Sequence, residues 1–303
     1  MRNRPKNSKR KEAAAPMNPI KKRGKGGSGH LLDRCRMLLL ALPAILILAG
    51  CAAMPETAPE PEAMSSVPPP ILWRQLAAAE EKPPALKALA RIDIATPSGR
   101  YPLKAAILLQ YPDRLRLESI PLFGPPDFYL TFEKDTLKVL LPQEGKYYIG
   151  TPSPAQLTAL LPFFSHRFQL SDMLALFRGT VPRIQGQDVT LKGFLEGKYD
   201  RLEVYRGGSK IQAFWLERGS GALHQAALWE LDGELRYRVR FEDRGSIKET
   251  GDFPAKISAA IGDSNPVTLT LRYTDLQILD GIEAALFALE IPDGMEPIRF
   301  NDE

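Results

Sequence analysis

The chain of 303 residues carries 40 Lys and Arg against 36 Asp and Glu, a formal net charge of +4, and two cysteines, Cys35 and Cys51. The positive sum comes from the first 50 residues, with 12 basic and two acidic side chains; the remaining 253 hold 28 and 34, a net −6, which offers no footprint for nucleic acid. No second cysteine is left to pair with Cys51, so the body has no disulfide and depends on a buried core, which a chain of this size can build.

Met37 to Gly50 is an uncharged apolar run preceded by Arg34 and Arg36. It is too short to cross a bilayer, which takes about 20 apolar residues. Charge, apolar run and the small residues Ala49 and Gly50 follow the order of a secretory signal peptide, so residues 1–50 read as a signal peptide with a long basic leader, begun at Met1 or Met17. The next residue, Cys51, resembles the acylated cysteine of the bacterial lipoprotein signal; the other reading is a buried thiol at the end of a core helix. The resemblance implies a diacylglyceryl group on the sulfur, cleavage before Cys51 and acylation of the new amino group. One acyl chain anchors only marginally, at about 0.8 kcal/mol per methylene, and several on one residue hold firmly. Ala52 rather than an aspartate implies, by the same resemblance, sorting to the outer membrane. Residues 51–70 are rich in Pro, Ala and Glu and read as a tether.

Ile71 to Glu81 is a helix candidate stopped by Pro83-Pro84. From Leu89 the period changes to two, and Leu89–Ala95, Leu103–Gln110, Arg114–Ser119, Phe128–Glu133, Leu137–Leu141 and Lys146–Ile149 read as short strands. In Arg114-Leu115-Arg116-Leu117-Glu118 leucines face one side and charges the other, the mark of a sheet with one dry face. Between Thr151 and Gly179 the pattern is helical, with Ser153 and Ser171 as candidate caps, Pro154 at a first turn, and Leu157, Leu160, Leu161, Leu174 and Phe177 as apolar faces. Strands return from Val189 to a last one at Phe287–Ile291. The fold class is mainly β (α+β), an antiparallel sheet with two or three short helices on one face.

Between two of these strands lies Ile120-Pro121-Leu122-Phe123-Gly124-Pro125-Pro126, a connection with large apolar residues at its tip. Pro and Gly fix such a turn, and Leu122 and Phe123 either fold back onto the core or project outward. Trp73-Arg74-Gln75, the strand Arg114 to Leu117, the loop Pro121-Leu122-Phe123-Gly124 and the helix pair closing on Leu176-Phe177-Arg178-Gly179 together resemble the LolB family of outer-membrane lipoprotein acceptors, of LolA/LolB-type fold. The similarity is best from Trp73 to Gly179 and weaker from Phe253 to the Phe287 strand.

The resemblance implies one domain over 71–303, an open half-barrel wrapped around helices and enclosing an apolar cavity for acyl chains. It implies outward projection of Leu122 as a membrane-insertion residue, with Phe123 as an addition to the usual pattern. It also implies a periplasmic lipoprotein carrier as upstream partner, outer-membrane anchoring through Cys51 and a monomer. Candidate cavity residues are Trp73, Leu115, Leu117, Leu157, Leu160, Leu161, Leu174 and Phe177, each of which also reads as plain core. The stretch 183–247 is longer than the family's usual core and reads as an insertion that narrows the cavity or binds a protein partner.

No enzyme chemistry is expected. There is no phosphate-cradling glycine loop after residue 50 and no Gly-x-Ser-x-Gly elbow. His166 near Ser165 and Asp172 reads as packing or capping rather than part of a triad. Scarce histidine and lone Cys51 exclude a transition-metal site, and no cofactor is implied. Glu80-Glu81 and Glu242-Asp243 read as solvated faces, and Trp215 and Trp229 as sheet-face packing.

Overall fold

A computed structural model describes residues 64, 65, 67–80, 83–161, 168–184, 186, 188–247, 251–263 and 266–300. After the first helix, α1 (Pro69–Glu80), Pro83-Pro84 ends helical backbone and β1 (Ala85–Thr96) begins. It buries Leu86, Ala88, Ala90, Ile92 and Ile94 on one face, the period-two pattern of a sheet covered on that side. Pro97-Ser98 turns the chain into β2 (Gly99–Gln110), which pairs with β1 along its whole length. Both strands begin four residues before the sequence-based starts at Leu89 and Leu103. Their first residues include Ala, Lys and Pro, which alternate weakly, and the cross-strand ladder extends them.

A meander continues through β3 (Arg114–Ser119), β4 (Tyr129–Glu133), β5 (Thr136–Leu141) and β6 (Lys146–Gly150). Two short helices follow, α2 (Pro154–Leu160) and α3 (Leu170–Phe177). The chain then lays down β7 (Val189–Glu196), β8 (Tyr199–Arg206), β9 (Ser209–Glu217), β10 (Leu223–Trp229), β11 (Leu235–Arg244), β12 (Pro254–Ile261) and β13 (Val267–Leu279). β13 returns to pair antiparallel with β1, so the two meanders join in the middle of one sheet. The stretch 183–247 supplies β7 to β11, consecutive members of that sheet.

The covered face of the strands packs with Leu72 and Leu76 of α1, Leu157 of α2 and Met173, Leu174, Leu176 and Phe177 of α3 in one core. The result is the expected class, an open and mostly antiparallel sheet with short helices on its inner face. Phe287–Ile291 is not a strand. A 3-10 turn, Ala284–Phe287, takes its place, and Arg116 Nη1 donates to the carbonyls of Leu286 (2.9 Å) and Ala288 (2.8 Å) from β3 beneath. The segment then buries Leu289 against Leu140 and Tyr147 on the outer face and ends as β14 (Pro297–Arg299), parallel to β6. A three-residue strand with exposed side chains leaves no periodicity to read.

Gly179 ends α3 with φ +76, and a Cβ placed there would lie 2.9 Å from Cγ of Pro254. Gly207, also at positive φ, has nothing within 4 Å of such a Cβ. Gly179→Ala is expected to cost about 2 kcal/mol more than Gly207→Ala in urea denaturation, since it adds a clash to the backbone strain. Equal losses would show that the Pro254 contact carries nothing.

Candidate functional site

The registers divide the strand connections between two ends of the sheet. The turns β1–β2, β3–β4, β5–β6, β10–β11 and β12–β13 share one end. The other end carries Pro83-Pro84, the β9–β10 turn and the end of β13. A twelve-residue strand such as β1 spans about 40 Å between them.

At the first end the β3–β4 loop stands on fixed feet. Ser119 Oγ accepts from the backbone N–H of Asp127 (2.7 Å) and Phe128 (3.2 Å), and Ile120 N donates to Lys104 O (2.8 Å). Gly124 turns the tip at φ +84, and Leu122 and Phe123 are 83% and 92% exposed. Both side chains therefore project outward.

Beneath this loop, between α3 and the sheet, lies an apolar cavity of ≈ 30 Å³, bounded by Ile94, Leu117, Phe128, Met173, Phe177 and Leu269 among others. It has room for about one water, whereas ligand pockets usually run from about 300 to 1,000 Å³. α3 closes it and is tied down at both ends. Asp172, 1% exposed, accepts from Gln169 N (2.8 Å), from Tyr237 Oη (3.2 Å) and from the Arg236 guanidinium. Burial raises the Asp172 carboxyl above the usual carboxylate range, against the pull of Arg236. At the other end Tyr273 Oη donates to Phe177 O (2.5 Å).

Of the eight sequence-based cavity residues, Leu117 and Phe177 border this cavity. Leu115, Leu157, Leu161 and Leu174 are buried core, and Leu160 packs half-buried against it. Trp73 lies away from the cavity, edge-on to Phe214 at 6.2 Å and beneath the Arg183 guanidinium at 4.7 Å. α2 starts as expected, with Ser153 and Gln156 bonding each other's backbone N–H groups. The cap of α3 is Gln169 and not Ser171, because the carboxylate of Asp172 folds back to the Gln169 N–H. Cys51 and His166 lie outside the described residues. His224 stacks on Tyr199 at 4.6 Å, and burial lowers its pKa. Glu242 and Asp243 pair across the outer face with Lys256 and Arg272, and Trp229 lies under Lys210.

A larger cleft of ≈ 980 Å³ opens at the opposite end, between α1, the segment after α3, and the ends of β9 to β13. Nothing in the strand pattern foretold it. The Asp172–Arg236 tie is equally hidden in the sequence, since its members are 64 residues apart and no local pattern joins them.

No protein-family model matches this sequence, and no curated protein matches it. Among solved structures, a DUF1329 family protein from Desulfovibrio piger superposes with a TM-score of 0.50 at 12% identity, over 73% of this chain and 97% of that one. The likeness is one of fold. A LolA superfamily protein from Nitrosomonas europaea gives 0.48 at 14% identity over 74% and 99% of the two chains. An outer membrane lipoprotein-sorting protein domain from Vibrio parahaemolyticus gives 0.46 at 13% over 72% and 94%.

Met173→Ala is expected to cost about 2–5 kcal/mol in denaturant unfolding and to enlarge the void under α3. Binding of a fluorescent fatty acid should then rise above that of the unaltered protein. Unchanged binding would mean that the void does not communicate with any acyl site.

Proposed function

We propose that the protein is a lipid-anchored acceptor of acylated proteins or other acyl lipids, held at the periplasmic face of the outer membrane through Cys51. The observation that carries this reading is the placing of Leu122 and Phe123, almost fully exposed, at the same end of the sheet as the apolar cavity under α3. Two bare hydrophobes on a loop with fixed feet cost solubility with no gain in core burial. Against a bilayer the same side chains are stabilised, each by roughly 1.5–3 kcal/mol when fully buried. Acyl chains entering beneath them lift α3 from the inner face and take up the apolar surface it leaves. Directional contacts are unnecessary for such cargo, and no nucleotide is needed. Transfer runs down a gradient in which the cavity holds chains more tightly than the upstream carrier and less tightly than the membrane. A fold shared with LolA-superfamily and DUF1329 proteins is compatible with this role but does not by itself assign it.

A second reading, a structural or assembly lipoprotein that binds a protein partner along the 183–247 strands, is favoured by the size of the closed cavity, which admits no acyl chain until α3 moves.

Leu122→Glu combined with Phe123→Glu is expected to leave thermal unfolding unchanged, since neither side chain packs on the core. Uptake of fluorescent fatty acid should persist while its delivery to liposomes slows about tenfold or more. Delivery at the unaltered rate would sink the loop assignment, and absence of uptake in both proteins would favour the partner-binding reading.

A further inference from the structure

On the outer face of the sheet, cationic side chains stand in one cross-strand row that begins at the foot of the projecting loop. Lys104 of β2 lies opposite Arg91 of β1, Arg91 opposite Arg272 of β13, and Arg272 opposite Lys256 of β12. Each alternates along its strand with core residues such as Ala90, Ala105, Leu271 and Ile257, so the row faces away from the core. It begins beside Ile120, whose N–H donates to the carbonyl of Lys104 (2.8 Å) and whose side chain is 41% exposed. We propose that Lys104 and Arg91 form a basic collar that binds the phosphate groups of anionic lipids while Leu122 and Phe123 enter the bilayer. This rests on the reading of that loop as a membrane contact.

Like charges directly opposite on neighbouring strands repel, so the row gains nothing for the sheet itself. The two members farther from the loop are compensated, Arg272 by Asp243 (2.7 Å) and Lys256 by Glu242 (3.0 Å). The two nearest it are exposed, and among the described residues neither Arg91 nor Lys104 has a side-chain hydrogen bond or ion pair. Acids at adjoining positions are engaged elsewhere. Asp93, the next outward residue of β1, accepts from Arg100 Nε (2.7 Å) and Nη2 (2.5 Å), and Glu118 of β3 bonds Arg116 Nε (2.5 Å). Asp275 lies across from Leu89, on the side of Arg91 away from the loop. Positive charge without a partner thus stands nearest the loop.

The chain after residue 50 carries a net −6, so its general field repels an anionic surface and attraction needs a local row. An apolar tip beside a basic collar matches the two layers of one bilayer, the tip meeting acyl chains and the collar phosphates. Lysine and arginine have long stems that carry the charge clear of the strand surface, and both donate to phosphate oxygens. An acidic protein would satisfy the same charges but has no use for the bare hydrophobes next to them.

The test uses the body from Ala52, whose described residues form one compact unit with its own core. Co-sedimentation would compare vesicles of phosphatidylcholine alone with vesicles of phosphatidylcholine and phosphatidylglycerol in equal parts. The unaltered protein should bind the anionic vesicles at least about tenfold more tightly, and high salt should remove the difference. Arg91→Gln and Lys104→Gln should each weaken that binding about fivefold, and the pair together about tenfold or more, with binding to phosphatidylcholine unchanged. Lys87→Gln removes the same charge near the other end of β1 and should cost less than about twofold. Equal binding of the unaltered protein to both vesicles would overturn the collar and leave the loop reading standing. Full anionic binding by the paired variant would overturn the site, and an equal loss in Lys87→Gln would reduce it to general charge. The vesicle comparison on the unaltered protein stands even if a variant fails to fold. The glutamate variants at Leu122 and Phe123 should lose binding to both vesicles, and if the unaltered protein binds neither, the loop reading fails together with the collar.

Discussion

A sheet that curls without closing cannot bury its inner face against itself, and that constraint shapes the rest of this molecule. The pairing of β1 with β13 joins two meanders into one wide apolar surface, too wide to be covered by facing strands. Three short helices cover it instead. Helices of this length are not stable alone, so their existence and the dryness of the sheet depend on each other. α3 adheres through side-chain packing and a few polar ties at its ends, while the strands are held by continuous ladders. Asp172 with Arg236 and Tyr237 at one end, and Tyr273 at the other, hold α3 at a defined place. A buried carboxylate is a costly fastening compared with another leucine, and its merit lies in fixing position rather than in strength.

The two ends of the sheet differ in chemistry. One carries bare hydrophobes on a Pro- and Gly-fixed loop with an apolar void beneath. The other carries guanidiniums around an amphipathic cleft.

Much of this was legible from residue order. The alternation in Arg114 to Ser119 marks a one-sided sheet, and β3 occupies those residues. Ser153 and Pro154 mark the start of α2 because capping chemistry is local. The loop of Leu122 and Phe123 is conspicuous because hydrophobes between prolines need a reason. What stayed hidden was long-range. Gln169 caps α3 through a carboxylate whose other partners lie on β11, and no window around Ser171 contains that fact. The last strand lies against β6 only because Arg116 and Tyr147 hold the preceding segment on the outer face. Leucines such as Leu115 and Leu174 could serve a core or a cavity equally, and only packing distinguishes them. Trp73 belongs with Phe214 and Arg183 for the same reason, through contacts more than a hundred residues apart.

The central claim is that the inner face accepts acyl chains once α3 yields. Hydrogen–deuterium exchange across α3, with and without a diacylated lipopeptide, addresses it most directly. The account requires faster exchange in residues 170–177 when the lipopeptide binds, with β1 and β13 still protected. Binding that left α3 as protected as before, or no binding at all, would contradict it.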